Sequence, residues 1–172
     1  MPCLLTQGFS LDCKDQAGGV KAIYLVEFNS ADTVTKSASG EVTAHTLASS
    51  RVYFKYELEK ETATSTWRSI PSSENGTTYY EADLTVRLHK LSTAKRNELK
   101  LLSQARLRCI VRDTEDNYWL YGADYGMHLQ QSEVNFGQAF TDFKGSVLNF
   151  LHKETDLPIK VQSAVVTSLG LA

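Results

Sequence analysis

The stretch RDTEDNYWLYGADYG, Arg112 to Gly126, gathers acidic, amide and aromatic side chains that could do chemistry. Its acidic half resembles a cation-holding loop, and its aromatic half resembles a surface for stacking on a ligand. A hand-type calcium loop places oxygen ligands at its first, third and fifth positions, glycine at the sixth and a bidentate glutamate at the twelfth. Asp113, Glu115 and Asn117 match the first three, but Tyr118 stands where the glycine belongs and Asp124 where the glutamate belongs. The flanks also alternate as strands do, whereas the calcium loop sits between helices. The segment therefore reads as a hairpin turning at Asp116-Asn117, residues that tolerate left-handed backbone angles. Trp119 is expected to anchor the core.

Other reactive groups fare no better. A raised serine nucleophile needs G-x-S-x-G, and Gly8-Phe9-Ser10 and Gly145-Ser146 both lack the second glycine. Gly18-Gly19-Val20-Lys21 does not supply the G-x-x-x-x-G-K-[ST] spacing that cradles phosphate. His45, His89, His128 and His152 lie far apart, with His89 and His152 beside lysines at strand ends, where solvated positions are expected. Cys3, Cys13 and Cys109 match no zinc spacing, and Cys109 falls at an inward position of an apolar strand, so it reads as a buried free thiol. No carboxylate pair sits in an apolar setting that would raise a pKa. The expectation is a protein that is not an enzyme, with no metal, cofactor or catalytic residue. Asn75-Gly76-Thr77 fits a glycosylation sequon, but nothing resembling a secretion signal accompanies it.

The chain has 172 residues, 42% apolar and 22% charged, and a net charge of -2. That balance argues against nucleic acid held by bulk electrostatics. No apolar run approaches the roughly 20 residues that span a bilayer. The opening MPCLLTQGFSLDCKD has no basic flank and too short an apolar core for a signal peptide, so synthesis in the cytoplasm is expected.

The elements follow from periodicity. VKAIYLVEFN, residues 20 to 29, reads as a buried strand, and the small polar residues around Gly40 as weak strands about a turn. VYFKYELEKETATSTW, from Val52 to Trp67, alternates with Phe54, Tyr56 and Leu58 on one side. After the turn-rich PSSENG, alternation resumes with Ala82, Leu84, Val86 and Leu88 inward. The two runs predict a long hairpin over about 50–90. Ser92 then caps a helix over about 92–105, with Leu99, Leu102 and Ala105 as its apolar stripe. LRCIVRD is a strand with Leu107, Cys109 and Val111 inward and Arg108, Ile110 and Arg112 outward. An irregular loop follows through Gly137, then a last strand from Phe143 to Glu154. The expected fold is mainly β, an antiparallel sandwich or barrel with one inserted α-helix. Residues 1–158 form the domain, and 159–172 a C-terminal arm that lies on the domain or reaches a neighbour.

In that order of elements the chain resembles the tail-tube-like proteins of tailed bacteriophages, most nearly those of Bacteroides-type phages and prophages. The resemblance rests on NGTTYYEADLTVRLHKLSTAKRNELKLLSQARLRCIVRDTEDNYWLYGADYGMHL and GQAFTDFKGSVLNFLHKE. It implies a structural virion protein whose hexameric rings stack head to tail into a conduit for DNA, which passes without sequence-specific binding. The implied partners are copies of itself and other tail or connector proteins, with no membrane. Lys55, Glu57, Glu59, Glu81, Asp83 and Arg87 would face the lumen, and residues 62–77 and the tail would make stacking contacts. A connector ring, a tail terminator or a baseplate part of the same fold is the nearest alternative. From another class comes a monomeric ligand-binding β barrel with Trp67, Tyr79, Tyr80, Trp119 and Tyr121 around a pocket; a hydrolase of unfamiliar architecture is a third.

Overall fold

The computed structural model describes residues 8–11 and 13–171; Cys3 lies outside them. The elements run β1 (Val20–Glu27), β2 (Thr33–Lys36), β3 (Val42–Thr46), β4 (Phe54–Glu57), β5 (Ala63–Ser72), β6 (Thr77–His89), α1 (Thr93–Gln104), β7 (Arg106–Asp113), β8 (Tyr118–Tyr121), β9 (Met127–Asn135), β10 (Gly145–Glu154), β11 (Ile159–Val161) and α2 (Ser163–Ser168). Strand accounts for 48% and helix for 13%, so the chain is mainly β, with α1 inserted between strands. Among the described residues no helix is long and apolar enough to cross a membrane.

β1 and β7 pair antiparallel and form a central wall. Ala22, Tyr24, Val26 and Ile110 face one core, while Ile23, Leu25, Leu107, Cys109 and Val111 face the other. This is why β1 reads as a nearly continuous apolar run: both of its faces are covered. The far edge of β7 is shared, with Arg106 and Leu107 pairing β9 and residues Cys109 to Arg112 pairing β8. The network forks there. One branch continues β8-β11-β3-β2 and the other β9-β10-β6-β5, while β4 lies on the outer edge of β1. β11 and β3 run parallel, and the other pairings are antiparallel.

Two turns follow directly from their chemistry. Asp113 Oδ1 accepts from the amides of Glu115 (2.9 Å) and Asn117 (2.8 Å), and Asp116 takes a positive φ of 64°, which closes the β7–β8 hairpin. Ser92 Oγ accepts from the Lys95 amide at 3.3 Å and starts α1, whose Leu102 is buried.

Five expectations need correction. The run 52–67 is two strands, not one: β4 pairs β1, and β5 alone forms the hairpin with β6. The chain turns at 60–61, where Glu61 has φ 62°. Phe54, expected inward, is 63% exposed. Residues 127–135, expected as loop, form β9; its outer half is exposed on both faces, so no apolar alternation marks it. Arg108 and Ile110, expected outward, are buried because β7 is central. His152, expected in solvent, is also buried.

Over its described length the segment after Pro158 lies on the domain, one of the two placements expected for it. β11 inserts between β3 and β8, and Ile159, Val161, Val165, Val166 and Leu171 close the first core. The Tyr24 hydroxyl donates to the Leu171 carbonyl at 2.8 Å. Each such apolar side chain contributes about 1.5–3 kcal/mol when fully buried, reason enough for the segment to fold back.

Candidate functional site

The β9-β10-β6-β5 branch is a four-stranded antiparallel sheet with one face on the second core. Ala82, Leu84, Val86, Leu148 and Phe150 supply that inner face, each no more than 1% exposed. Side chains at alternate positions make the outer face. Cross-strand register groups them in rows: Glu133, Val147 and Arg87; Gln131, Asn149, Thr85 and Thr64; Lys153, Glu81 and Arg68.

Charge on this face is matched locally. Arg68 bridges Glu81 (3.2 Å) and Asp83 (2.6 Å), and Lys153 reaches Glu81 at 3.2 Å. Arg68, Arg87 and Lys153 thus stand against Glu81, Asp83 and Glu133, an even balance. Of the six residues expected to line one surface, Glu81, Asp83 and Arg87 share this face. Lys55 and Glu57 sit on β4, joined to each other at 2.9 Å, and Glu59 lies in the following turn, 3.4 Å from His89 at the end of β6. The hydrogen bond between Lys55 and Glu57 raises the ammonium pKa and lowers the carboxyl pKa. Three of the six thus lie on β6 and three on or just after β4, and Glu59 meets the end of β6 through His89.

Both long edges of the branch are open among the described residues. β5 pairs β6 over ten positions and has no strand on its other side. β9 pairs β10, but its other edge meets β7 only at Met127 and His128, which leaves Leu129 to Asn135 without a second strand partner, although α1 packs nearby with Leu99 and Ser103 facing Ser132 and Val134 across a cleft. Gln130 is the extra residue where the β9–β10 register shifts, a bulge in the exposed part of the strand.

Of the five aromatic residues expected around a pocket, Trp67, Trp119 and Tyr121 line one cleft, and Tyr79 and Tyr80 do not. Trp67, Trp119 and Tyr121 do converge, with Trp67 edge-on to Trp119 (5.1 Å) and Tyr121 (6.2 Å). Their indole N–H groups are both paired: Trp67 Nε1 donates to the Tyr121 oxygen (2.6 Å), and Trp119 Nε1 donates to Asp113 Oδ2 (3.2 Å). Burial pushes the Tyr121 phenol up to about 12. Tyr79 stands apart on the outer face, 5.7 Å from Lys153, and Tyr80 pairs Ser69. A shallow cleft of about 410 Å³ is lined by Trp67, Trp119 and Tyr121 themselves, together with Gly19, Thr64 and Thr66. A larger open groove, about 710 Å³, separates β4 from α1 and is lined by Leu25, Phe54, Tyr56, Leu101 and Leu102.

Two buried polar networks were invisible in the sequence. Arg108, 2% exposed, donates to the Gly122 carbonyl (3.1 Å), the Ala123 carbonyl (3.0 Å) and Asp32 Oδ2 (2.6 Å). Asp32 Oδ1 also accepts from the Ala48 amide at 2.8 Å and pairs Arg51. Near them His45 Nε2 lies 2.8 Å from the Tyr53 hydroxyl and Nδ1 lies 3.0 Å from the Thr33 carbonyl; burial lowers the His45 pKa. In the second network Glu154 Oε1 accepts from the Asp124 (2.9 Å) and Tyr125 (2.8 Å) amides and so fixes the loop between Gly122 and Gly126. His152 Nε2 stands 3.2 Å from Glu154 Oε2, within ion-pair range but out of line for a hydrogen bond. Burial alone would raise the Glu154 carboxyl, yet the His152 ring and the two amides together hold it below its ordinary value.

The reactive groups do not assemble. Cys109 is a buried free thiol whose pKa is raised by burial, and Cys13 is free and exposed. Among the described residues no three His, Cys, Asp or Glu side chains converge as metal ligands. Comparisons with protein-family models, with curated proteins and with solved structures found no match.

Proposed function

We propose that this chain is a structural subunit that joins copies of itself edge to edge, β5 of one against β9 of the next, into a closed ring. One observation carries the reading: the four-stranded branch has an even number of antiparallel strands and two long open edges. β5 runs antiparallel to β9, so copies related by rotation continue the same antiparallel sheet across every seam. An open edge exposes a row of backbone donors and acceptors that invites pairing with another chain, and closure into a barrel removes it. The sequence resemblance to tail-tube proteins adds the ring size, six, and the stacking of rings into a conduit for DNA in the virion.

In such a ring the outer face of the branch turns toward the axis. Two of its three basic groups are engaged, Arg68 by Glu81 and Asp83 and Lys153 by Glu81, while Arg87 lies over the Phe143 ring. Phosphate binding draws its strength from free Lys and Arg that displace counterions. A wall whose charges are balanced offers few free cations to phosphate and lets DNA slide past.

Like charges placed on both edges test the seam. Thr66 and Gln131 are exposed on the outer face of β5 and β9. Thr66→Lys with Gln131→Lys is expected to leave the circular dichroism spectrum and unfolding midpoint unchanged while abolishing assembly in sedimentation velocity. Assembly that persists in the double variant at low salt rejects the β5–β9 seam. Rings that form but never stack would favour a connector or terminator ring over a tube.

A further inference from the structure

We propose that Asn75 is a covalent modification site, where the chain converts spontaneously to aspartate and isoaspartate at the tip of the β5–β6 hairpin. The chemistry needs a backbone nitrogen free to attack the side-chain amide of the residue before it. Residues 73–76 form the turn between β5 and β6, and the last strand pair is Ser72 with Thr77. Asn75 and Gly76 are both exposed. Gly76 has φ 62°, and nothing lies within 4 Å of where a Cβ would stand, so no side chain crowds the residue that must supply the attacking nitrogen. The turn is held by the Asn75 amide donating to Ser72 Oγ at 3.4 Å; the Gly76 amide makes no hydrogen bond among the described residues.

The balance of the reaction is simple. The Gly76 nitrogen loses its proton to solvent base and bonds to Asn75 Cγ. The Cγ–Nδ2 bond breaks, ammonia leaves, and a five-membered succinimide remains. Water then opens either carbonyl of that ring and gives aspartate or isoaspartate. Net, one water enters and one ammonia departs, with no oxidant, cofactor or enzyme.

The other asparagines supply internal controls. Asn29, Asn97, Asn117, Asn135 and Asn149 precede Ser, Glu, Tyr, Phe and Phe, whose side chains obstruct ring closure. Asn149 and Asn135 are further held in β10 and β9, and Asn97 in α1. The product places a second carboxylate beside Glu74 and, as isoaspartate, an extra methylene in the main chain. Both changes fall in an exposed tip, so the core is untouched while the charge of the hairpin end changes with age.

The test ages purified full-length protein at mildly alkaline pH and follows digested peptides by mass spectrometry, with enzymatic methylation to count isoaspartate. The peptide holding Asn75 is expected to convert first, at a rate that rises with hydroxide concentration. Asn75→Gln is expected to remove the signal, and Gly76→Ala to slow it by about tenfold or more. An Asn75 that stays intact in the folded protein while the urea-unfolded chain converts overturns the proposal. So does conversion at Asn29 ahead of Asn75, or a Gly76→Ala variant that ages at the original rate.

Discussion

Replacing Asp32 by asparagine tests whether the buried Arg108 network holds the first core together. The carboxylate is fully buried and receives three donors: the Ala48 amide, Arg51 and Arg108. An asparagine keeps the shape but removes the charge and turns one acceptor into a donor that faces a donor. Arg108, 2% exposed, then keeps only the carbonyls of Gly122 and Ala123. Leaving a buried charge without its counter-charge costs about 3–5 kcal/mol. That is a large part of the ~5–15 kcal/mol that holds a domain folded. For a chain of this length it lowers the melting midpoint by roughly 6–20 °C. The assay is urea unfolding with the slope held constant, so that the midpoint reports stability. Adding Arg108→Met to Asp32→Asn should cost less than the two single losses summed, by about 0.5–3 kcal/mol. A loss from Asp32→Asn below about 1 kcal/mol, the scale of an exposed pair, would refute the reasoning.

Glu154 gives a pH-dependent counterpart. Its folded-state pKa lies below the ordinary value of 4.5, so its contribution is present above that value and is lost as pH falls through the lowered one. Stability measured down the acid limb should therefore drop below about pH 4.5, and Glu154→Gln should be less stable at neutral pH with a flatter acid limb; an unchanged limb contradicts the assignment. Gly145 begins β10 where a Cβ would stand 2.1 Å from the Leu88 carbonyl oxygen. Gly145→Ala must push β10 from β6 and should cost about 1–3 kcal/mol in chemical unfolding; a neutral variant would mean that the close approach is not what requires glycine there.

The legible parts of the fold were those with a local cause. The β7–β8 hairpin turns on Asp113 and Asp116, and α1 begins at Ser92, both where side-chain chemistry points. The hairpin of β5 and β6 was read with the wrong first strand, although the signal was present. Apolar positions fall at 54, 56 and 58 and then at 63 and 67, and such a change of phase marks a turn. β9 was missed because a strand exposed on both faces has no hydrophobic period to read. Arg108 and His152 were misplaced for the opposite reason: their burial depends on partners 76 residues away at Asp32 and on the sheet neighbours of β10, which no local pattern encodes. The candidate site shared this limit. Glu81, Asp83 and Arg87 follow from alternation along β6, but the open edges of β5 and β9 appear only when the pairing is known.

Imaging wild-type protein at high concentration, alongside its native mass, tests the central claim most directly. The account predicts closed rings with six-fold symmetry and a mass six times that of the chain, with a continuous sheet crossing each β5–β9 seam. A species that stays monomeric at every concentration, with no rings in the micrographs, would contradict it.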